Sequence, residues 1–522
     1  MANIDKVIVT HRGRLAAKYG NAMRRIDDGV KALVAADAAR GVNTRVIGLD
    51  DATVMKRFRA KPLADPKDEP GCKAAIDRIA RTLRPDYLMI LGSRDVVPHQ
   101  TLRNTKRDDD PSIPSDLPYA CEAAYTRDPR AFVVPTRIVG RLPDLTMERT
   151  TGGQDPSYLV ALLRRSEHYR SRPRSDYDSH FGLSTLSWQG STSLSLRNIF
   201  GDSVELHTSP HEGPRWPKRV LERRVHFINC HGGAADTSFY GEDPKTKDQP
   251  HSLMAKHLEE AKAVSDGAVV AAECCYGADL FDPHEARGQR GICYIYLAQG
   301  CYGFFGSTCT AYGPEDGNGQ ADLLCQYFVD RVLRGASLGR AVIEAQLRFV
   351  QACGSLQPED IKTLSQFLLL GDPSVQPVAR AAHGMAESTA FRKALDTDAN
   401  RRQARGARRA WILRNSDMLW GKVGIATLPG PFIGSARVKE ILLKSARESG
   451  VPEPVLSSHR LRDPLGEKLL RDVGHPGALT MIHVATGLPR RARGSEGTTR
   501  PVSVVATVRG RDIVYLRRLF AR

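Results

Sequence analysis

Short apolar runs alternate with longer amphipathic stretches along the first 380 residues of the chain. Lys6–Thr10, Thr44–Leu49 and Asp86–Leu91 are rich in β-branched or other apolar residues and predict strands. Arg14–Ala39 and Cys72–Leu83 place apolar side chains at helical spacing and predict helices. Because strands that alternate with helices build parallel sheets, the pattern predicts an α/β fold with a mostly parallel sheet covered by helices.

The two most strand-like runs of the chain come in its second third. Val225–Cys230 and Gly267–Glu273 are apolar almost throughout, which is typical of parallel strands that are buried on both faces. Helices are predicted over 321–334 and 338–351, and a closing strand over Phe367–Leu370. The α/β pattern therefore continues to about residue 378.

The pattern and the charge together divide the chain into four parts. We predict a first α/β subdomain over 1–154, a second over 155–378, an Arg-rich linker over 379–410 and a small basic α+β domain over 411–522. The last prediction rests on strands at 422–428, 479–485, 502–509 and 513–518 and on helices near 436–449 and 463–473. An extended segment is also predicted over Ala131–Val139. A chain of 522 residues is long enough for several cores.

The net charge of +17 is concentrated at one end of the chain. Residues 381–522 carry 26 of the 76 Lys and Arg and 12 of the 59 Asp and Glu, a net of +14, which leaves +3 for the rest. The basic residues cluster at 401–409, 490–493 and 517–518. Such asymmetry predicts a separate partner for the C-terminal part, either a polyanion such as nucleic acid or a regulatory protein. The alternative interpretation is a solvated linker and rim that pack on the α/β part or keep the chain soluble.

The cysteines and the apolar runs indicate a cytoplasmic protein. The ten cysteines are sparse and lack CxxC spacing, which disfavours a disulfide framework and a zinc ribbon. No apolar run reaches the roughly 18 residues that a membrane span needs. The N-terminal residues have no signal-peptide pattern and predict a first strand. A reactive thiol could therefore persist in this chain.

Reactive residues followed by glycine stand at the ends of both strong strands. One strand leads into His231-Gly232-Gly233 and the other into Cys274-Cys275-Tyr276-Gly277. In an open parallel sheet, functional sites lie beyond the carboxyl ends of the strands. A thiol needs a base to become a thiolate at neutral pH, and glycines let a peptide carbonyl approach backbone N–H groups. Packed core residues in ordinary turns are the alternative interpretation.

The motifs of residues 1–378 resemble those of the caspase-like cysteine peptidases, which include caspases, legumains, gingipains and separases. Strand-His-Gly followed by strand-x-Cys-x-Gly is similar to the signature of that family, and further segments resemble the gingipain branch and its bacterial relatives. Those segments are Pro85–Gly92 with Asp95–Pro98, Ser115-Asp116 with Tyr119, Ile138–Pro143, Gly306–Thr308, Gly335–Gly339 and Leu370–Ser374. They follow one another in the order of the family.

The resemblance implies a cysteine endopeptidase that works through a thioester acyl-enzyme. His231 would be the catalytic histidine, and the N–H groups of Gly232 and of the nucleophile would form the oxyanion hole. Cys275 is favoured as the nucleophile, with Cys274 as the alternative, because neighbours on a strand point to opposite faces. No metal or cofactor is expected for catalysis, although a structural calcium ion, as in some gingipains, is compatible with the resemblance.

Substrate selection is where the resemblance ends. The stretch 187–195, which precedes the histidine strand, contains no acid, unlike its counterpart in Arg-specific gingipains. Gln189 and Ser191 in this stretch, and Glu242 and Asp243 after the His-Gly turn, are the candidate residues for binding a protein or peptide substrate. Three alternatives stay open: a catalytically degenerate scaffold, a polyanion-binding or interaction protein, and a metal site at Cys230, His231 and the two adjacent cysteines.

Overall fold

A ten-stranded sheet runs through both of the predicted α/β parts in the computed structural model. The described residues are 4–106, 108–148, 152–201, 205–314, 317–353, 355–379, 412–413, 415–416, 419, 424–426, 430–462, 480–489, 501–509 and 512–521. The predicted helix at 463–473, nearly all of the predicted linker, and the basic clusters at 401–409 and 490–493 lie outside these ranges.

Among its described residues, the first part of the chain contributes six strands and four helices. The strands are β1 Lys6–Thr10, β2 Thr44–Gly48, β3 Tyr87–Leu91, β4 Gln100–Leu102, β5 Ile113–Ser115 and β6 Ile138–Leu142. The helices are α1 Arg12–Tyr19, α2 Met23–Ala39, α3 Ala52–Arg57 and α4 Glu69–Leu83.

Where the structure describes it, the second part contributes ten more strands and eight more helices. The strands are β7 His180–Thr185, β8 Leu206–Ser209, β9 Val225–Asn229, β10 Ser238–Tyr240, β11 His251–Met254, β12 Ala268–Ala272, β13 Cys301–Ser307, β14 Tyr312–Pro314, β15 Ser355–Leu356 and β16 Phe367–Gly371. The helices are α5 Ser157–His168, α6 Gln189–Phe200, α7 Lys218–Leu221, α8 Ala255–Ala261, α9 Ile292–Gln299, α10 Gln320–Leu333, α11 Leu338–Cys353 and α12 Pro358–Gln366.

The central sheet has the strand order β2-β1-β3-β6-β16-β13-β12-β9-β7-β8. Its neighbouring strands are parallel except for β13 and β16, which are antiparallel. The last strand of this sheet in sequence, β16, therefore lies between the strands of the two predicted subdomains and joins them into one sheet. This architecture confirms the predicted α/β class with a mostly parallel sheet covered by helices.

A buried ion pair fastens the two ends of the α/β part to each other. The Lys6 ammonium lies 3.0 Å from the carboxylate of Asp37 and donates to the hydroxyl of Ser374 at 3.1 Å. It also pairs with Asp372, whose other oxygen accepts from the backbone N–H of Ser374 at 2.9 Å. The Gly-Asp-Pro-Ser turn after β16 thus binds the first strand as well as reversing the chain. A buried cation that is paired on several sides in this way is costly to leave unpaired.

The C-terminal part forms a second, mainly antiparallel sheet. Its elements are β17 Gly424–Ala426, α13 Ala436–Glu448, β18 Val455–Arg462, β19 Thr480–Gly487, β20 Val502–Arg509 and β21 Asp512–Ala521. The sheet order is β14-β21-β20-β19-β18-β17-β15, so two short strands of the α/β part close the sheet at its edges. The predicted α+β class of this part is confirmed.

Two local predictions are wrong. The helix predicted over Arg14–Ala39 is divided into α1 and α2, because Gly20 has a positive φ of 51° and ends α1. The extended segment predicted over Ala131–Val139 begins with a 3₁₀ turn over Pro129–Phe132. The Asp128 carboxylate accepts from the N–H of Arg130 and caps that turn, which is local chemistry that the apolar pattern does not reveal.

Candidate functional site

The His-Gly turn and the paired cysteines meet at the carboxyl ends of two adjacent parallel strands. In the register of β9 and β12, Val270 is opposite His226 and Ala271 is opposite Phe227. The same register, continued by four residues, aligns Cys275 with His231. A Cβ atom built on Gly232 would collide with the carbonyl oxygen of Cys275, so only glycine allows this approach.

The two cysteines lie on opposite faces of the sheet. Cys274 packs in the core that contains Ile228 and Cys230, and burial raises the pKa of its thiol well above the ordinary value. Cys275 belongs to the core on the other face, together with Phe227 and Ala271. β9 ends at Asn229, and its side-chain alternation, extended by two residues, assigns His231 to the same face as Phe227. Cys275, rather than Cys274, therefore shares a face with His231.

The loop after β13 covers Cys275. The backbone N–H of Ala311 donates to Cys275 Sγ at 3.2 Å, and the N–H of Tyr276 donates to the carbonyl oxygen of Cys309 at 3.1 Å. Cys275 is 0% exposed and His231 only 2%. The thiol is therefore closed to solvent, and the segment around Ala311 is part of what covers it.

Glu242 contacts the histidine from the hairpin that follows it. The strands β10 and β11 pair, and His231 forms a bridge with Tyr240, so the chain returns to the site within eleven residues. Glu242 Oε2 lies 2.6 Å from His231 Nε2, and Oε1 accepts from Ser187 Oγ at 3.0 Å and from Lys247 Nζ at 3.1 Å.

Glu242 is a carboxylate throughout the neutral range. Burial alone would raise its pKa, but the hydrogen bond and charge of His231, together with Lys247, lower the pKa of Glu242 to about 2. The folded pKa is therefore below the ordinary value of about 4.3. The stabilisation from this pair is present above the ordinary pKa and is lost as the pH falls towards 2.

Trp188 and the three remaining candidate substrate residues have different local settings. Trp188 packs against the His231 ring at a centroid distance of 4.5 Å. Gln189 is exposed in the first turn of α6, and Asp243 next to Glu242 has a pKa lowered by the N–H groups of two following residues. Ser191 is buried and donates to Asp322 at 3.0 Å, so its hydroxyl helps to attach α6 to α10. Their binding of a substrate stays a prediction.

A buried ionic network supports the loop that covers Cys275. Asp110 accepts from the backbone N–H of Thr310 at 2.9 Å and from the hydroxyl of Tyr276. Lys362 on α12 lies 2.5 Å from Asp110 and 2.6 Å from Asp108. Burial alone would raise the pKa of Asp110, but the charge and hydrogen bond of Lys362 lower it overall. The role of Asp108 and Asp110 depends on a contact with Lys362, about 250 positions away, which the sequence pattern does not reveal.

The described residues test the predicted metal-site alternative and the expectation about membrane spans. Within the described ranges no group of three or more His, Cys, Asp and Glu is arranged to hold a metal ion, so Cys230, His231 and the paired cysteines do not converge as ligands. A structural calcium ion stays a prediction. In the same ranges, no helix combines the length and the apolar character that crossing a membrane requires.

One of the three basic clusters, Arg517–Arg518, lies within the described ranges. Arg518 pairs with Glu448 on α13 at 2.6 Å and donates to Ser445 at 3.0 Å. Arg517 lines a cavity between the two sheets. Both arginines thus face neighbouring elements of the chain, and polyanion binding by the C-terminal part stays a prediction.

Comparisons with known proteins give structural similarity only. No family model and no curated protein matches the chain. A solved structure described as "Structure of Protease" aligns with 100% of this chain and 98% of its own, at 12% identity and a TM-score of 0.49. The Saccharomyces cerevisiae separase–securin complex aligns over 46% of this chain and 14% of its own, at 12% identity and a TM-score of 0.29. At these values, neither similarity indicates what this chain does.

Proposed function

We propose that the chain is a cysteine endopeptidase whose nucleophile is Cys275 and whose general acid and base is His231. The observation that carries the proposal is the close approach of Gly232 to the backbone of Cys275, on strands whose register aligns Cys275 with His231. This arrangement brings a thiol, an imidazole and backbone N–H groups to the carboxyl ends of two neighbouring strands. The ordered motifs that resemble the caspase-like family support the same assignment.

The chemistry then follows from the positions of three groups. The Cys275 thiolate attacks the scissile carbonyl carbon, and the N–H groups of Gly232 and Cys275 donate hydrogen bonds to the developing oxyanion. His231 transfers a proton to the departing amine, which leaves a thioester on Cys275. His231 takes a proton from a water molecule as that water attacks the thioester, and collapse of the intermediate releases the carboxylic acid and restores the Cys275 thiolate beside the imidazolium.

Glu242 serves as a positioning residue in this proposal. Its carboxylate accepts from His231 Nε2, so the imidazole keeps one tautomer and presents Nδ1 to the substrate side. A negative charge beside the ring also stabilises the imidazolium that forms during the reaction. Glu242, which the sequence analysis predicts to bind substrate, is here proposed to orient His231 instead.

Replacing Glu242 by glutamine should separate turnover from binding. The amide can donate to Nε2 and favour the wrong tautomer, so we expect Glu242→Gln to lower kcat by about 100-fold or more. KM should change less than about threefold, because Glu242 does not contact the peptide. Lys247→Met, which removes another partner of the same carboxylate, is the control and should retain nearly full turnover. A rise in KM at constant kcat would instead support substrate binding by Glu242.

The C-terminal sheet is proposed to regulate access to Cys275. The N–H of Ala311 contacts the thiol, and β14 begins at the next residue. That strand pairs with β21, with Tyr312 opposite Ala521 and Pro314 opposite Leu519. Pairing with β21 therefore restrains the segment that must move before a substrate can enter.

Selective labelling tests the proposed activity directly. A peptidyl acyloxymethyl ketone, selected from cleavage sites found in a random peptide library, should modify Cys275 alone and stop turnover. Mass spectrometry would identify the labelled residue, and turnover with and without EDTA would be the control for metal dependence. An intact library after long incubation, with Cys275 open to iodoacetamide, would favour a catalytically degenerate scaffold. Loss of turnover in EDTA that only zinc restores would favour the metal alternative.

A further inference from the structure

The strand β21 lies along the edge of β14 that leads to the proposed nucleophile. The two strands are antiparallel, and Gly313 is opposite Phe520 in their register. The N–H of Phe520 faces β14, because the N–H of the next residue, Ala521, donates to Pro501 on the side of β20. The backbone groups of Gly313 and Phe520 therefore face each other across this pair of strands.

The thiol of Cys275 takes the next hydrogen-bonding position along the same edge of β14. In an antiparallel pair, the backbone groups that face the partner recur at every second residue. This alternation, extended by one residue beyond the start of β14, directs the backbone of Ala311 to the same side as that of Gly313. The N–H of Ala311 donates to Cys275 Sγ at 3.2 Å, and Sγ lies 3.6 Å from the Ala311 carbonyl oxygen. The strand β21 thus points along β14 towards the thiol.

The direction of β21 is the one that a substrate needs. Its chain runs from Leu519 to Ala521 while its partners on β14 approach Ala311. A peptide in the same place brings its next residue opposite Ala311, with the carbonyl carbon of that residue next to the thiol. That residue is P1, the last residue before the scissile bond. The positions of Ala521 and Leu519 on this edge are therefore those of P2 and P4.

The side chains of β21 indicate which residues this edge accepts. Leu519 is 1% exposed and Ala521 is 2% exposed, and both belong to the buried cluster that contains Cys275. Phe520, which alternates with them, packs against the separate cluster under α13. In an extended peptide on this edge, the P4 and P2 side chains face the α/β part, where an aliphatic residue and a small residue fit.

We propose that β21 occupies the peptide-binding edge of the enzyme as an internal substrate mimic, and that the substrates are extended segments with an aliphatic residue at P4 and a small residue at P2. The inference rests on the proposed function and extends it from restraint of a loop to direct competition for β14. A peptide and β21 exclude each other, because each uses the backbone groups of Gly313. The contact to be exchanged is short, since β21 pairs with β14 at three positions and with β20 at eight.

Binding of a hexapeptide tests the competition without any measurement of cleavage. The probe, Leu-Arg-Arg-Leu-Phe-Ala, repeats residues 516–521 and carries an N-terminal fluorophore and a C-terminal amide. Fluorescence anisotropy would compare its affinity for the unmodified full-length chain and for the full-length Phe520→Pro chain, whose own β21 lacks the donor to β14. We expect binding at least about tenfold tighter to Phe520→Pro, and slower modification of Cys275 by iodoacetamide when the peptide is bound.

The matched control is the peptide Leu-Arg-Arg-Leu-Pro-Ala, which has the same charge and lacks one backbone donor. It should bind to Phe520→Pro at least about tenfold more weakly than the probe. Leu519→Ser is a second way to loosen β21, because it removes the buried aliphatic side chain and no backbone donor, and it should give the same order of affinities. Circular dichroism would show which variants are folded. Equal binding of the two peptides, or no gain in affinity in a folded variant, would overturn the proposal.

The cleavage sites in a random peptide library provide a second measurement that needs no variant. Aliphatic residues at P4, and glycine, alanine or serine at P2, should be enriched at least about fivefold over charged residues at the same positions. Cleavage without this enrichment would contradict the inference and leave the proposed activity intact. Specific binding of the probe without any cleavage would contradict the proposed activity and leave β14 as a peptide-binding edge.

Discussion

Cys275→Ala should reduce peptide hydrolysis by more than about a thousandfold, because the thioester cannot form without the attacking sulfur. His231→Ala should cause a loss of similar size, since the thiol and the leaving amine then lack their proton carrier. The rates would be measured on one cleaved library peptide under substrate saturation. Thermal melting of each variant would show whether the fold is retained.

Cys274→Ala is the matched control, because it removes the same sulfur atom from the adjacent and equally buried residue. We expect it to retain activity and to lose about 1–2 kcal/mol of stability through the small cavity that it leaves. Activity that survives in Cys275→Ala but not in Cys274→Ala would move the nucleophile to Cys274. Activity that survives in His231→Ala would contradict the dyad.

Phe520→Pro should open the site and raise turnover at least about tenfold. The N–H of Ala521 donates to the carbonyl oxygen of Pro501 on the β20 side, so the N–H of Phe520 points to β14, opposite Gly313. Proline removes that donor and leaves the pairing of β21 with β20 largely intact. The rate of Cys275 modification by iodoacetamide measures access to the thiol independently of catalysis.

Phe520→Leu is the control for the lost aromatic ring, because it retains the backbone donor. We expect its labelling rate and turnover to stay within about twofold of the unmodified chain. If Phe520→Pro is folded but labels no faster than Phe520→Leu, then β21 does not restrain the loop over Cys275. Faster labelling with lower turnover would indicate instead that β21 shapes the substrate-binding strand.

The central strands and the candidate site could be predicted because their signals are local. The runs before His231 and Cys274 are apolar almost throughout, and each ends in glycine-containing turns, so both the strands and their functional ends were recognisable. Strand alternation alone also assigns the two adjacent cysteines to opposite faces of the sheet. The carboxylate at position 242 was selected as an acid near the site, but its partner depends on a hairpin whose strands have three and four residues.

Other features could not be predicted because distant contacts determine them. The start of α6, Gln-Gly-Ser-Thr-Ser, has low helix propensity, and the helix is held by the contact of Ser191 with Asp322 and of Thr192 with Asn229. The edge strands β14 and β15 have three and two residues, too few for a recognisable alternation. They become strands only because the C-terminal sheet supplies partners. For the same reason, the division into two α/β subdomains did not predict a single continuous sheet.

The place of β16 between β6 and β13 has a consequence for synthesis on the ribosome. Synthesis of β6 is complete at residue 142, but β16, which pairs with the free edge of β6, is complete only at residue 371. At a translation rate of about 5–20 residues per second, roughly 10 to 45 seconds separate the two events. Throughout that interval the nascent chain presents an unpaired strand edge, a template for wrong pairing with other chains. We therefore expect the nascent chain to need chaperone protection, or translation that slows only after residue 371, because the central strand of this sheet is synthesised after its other nine strands.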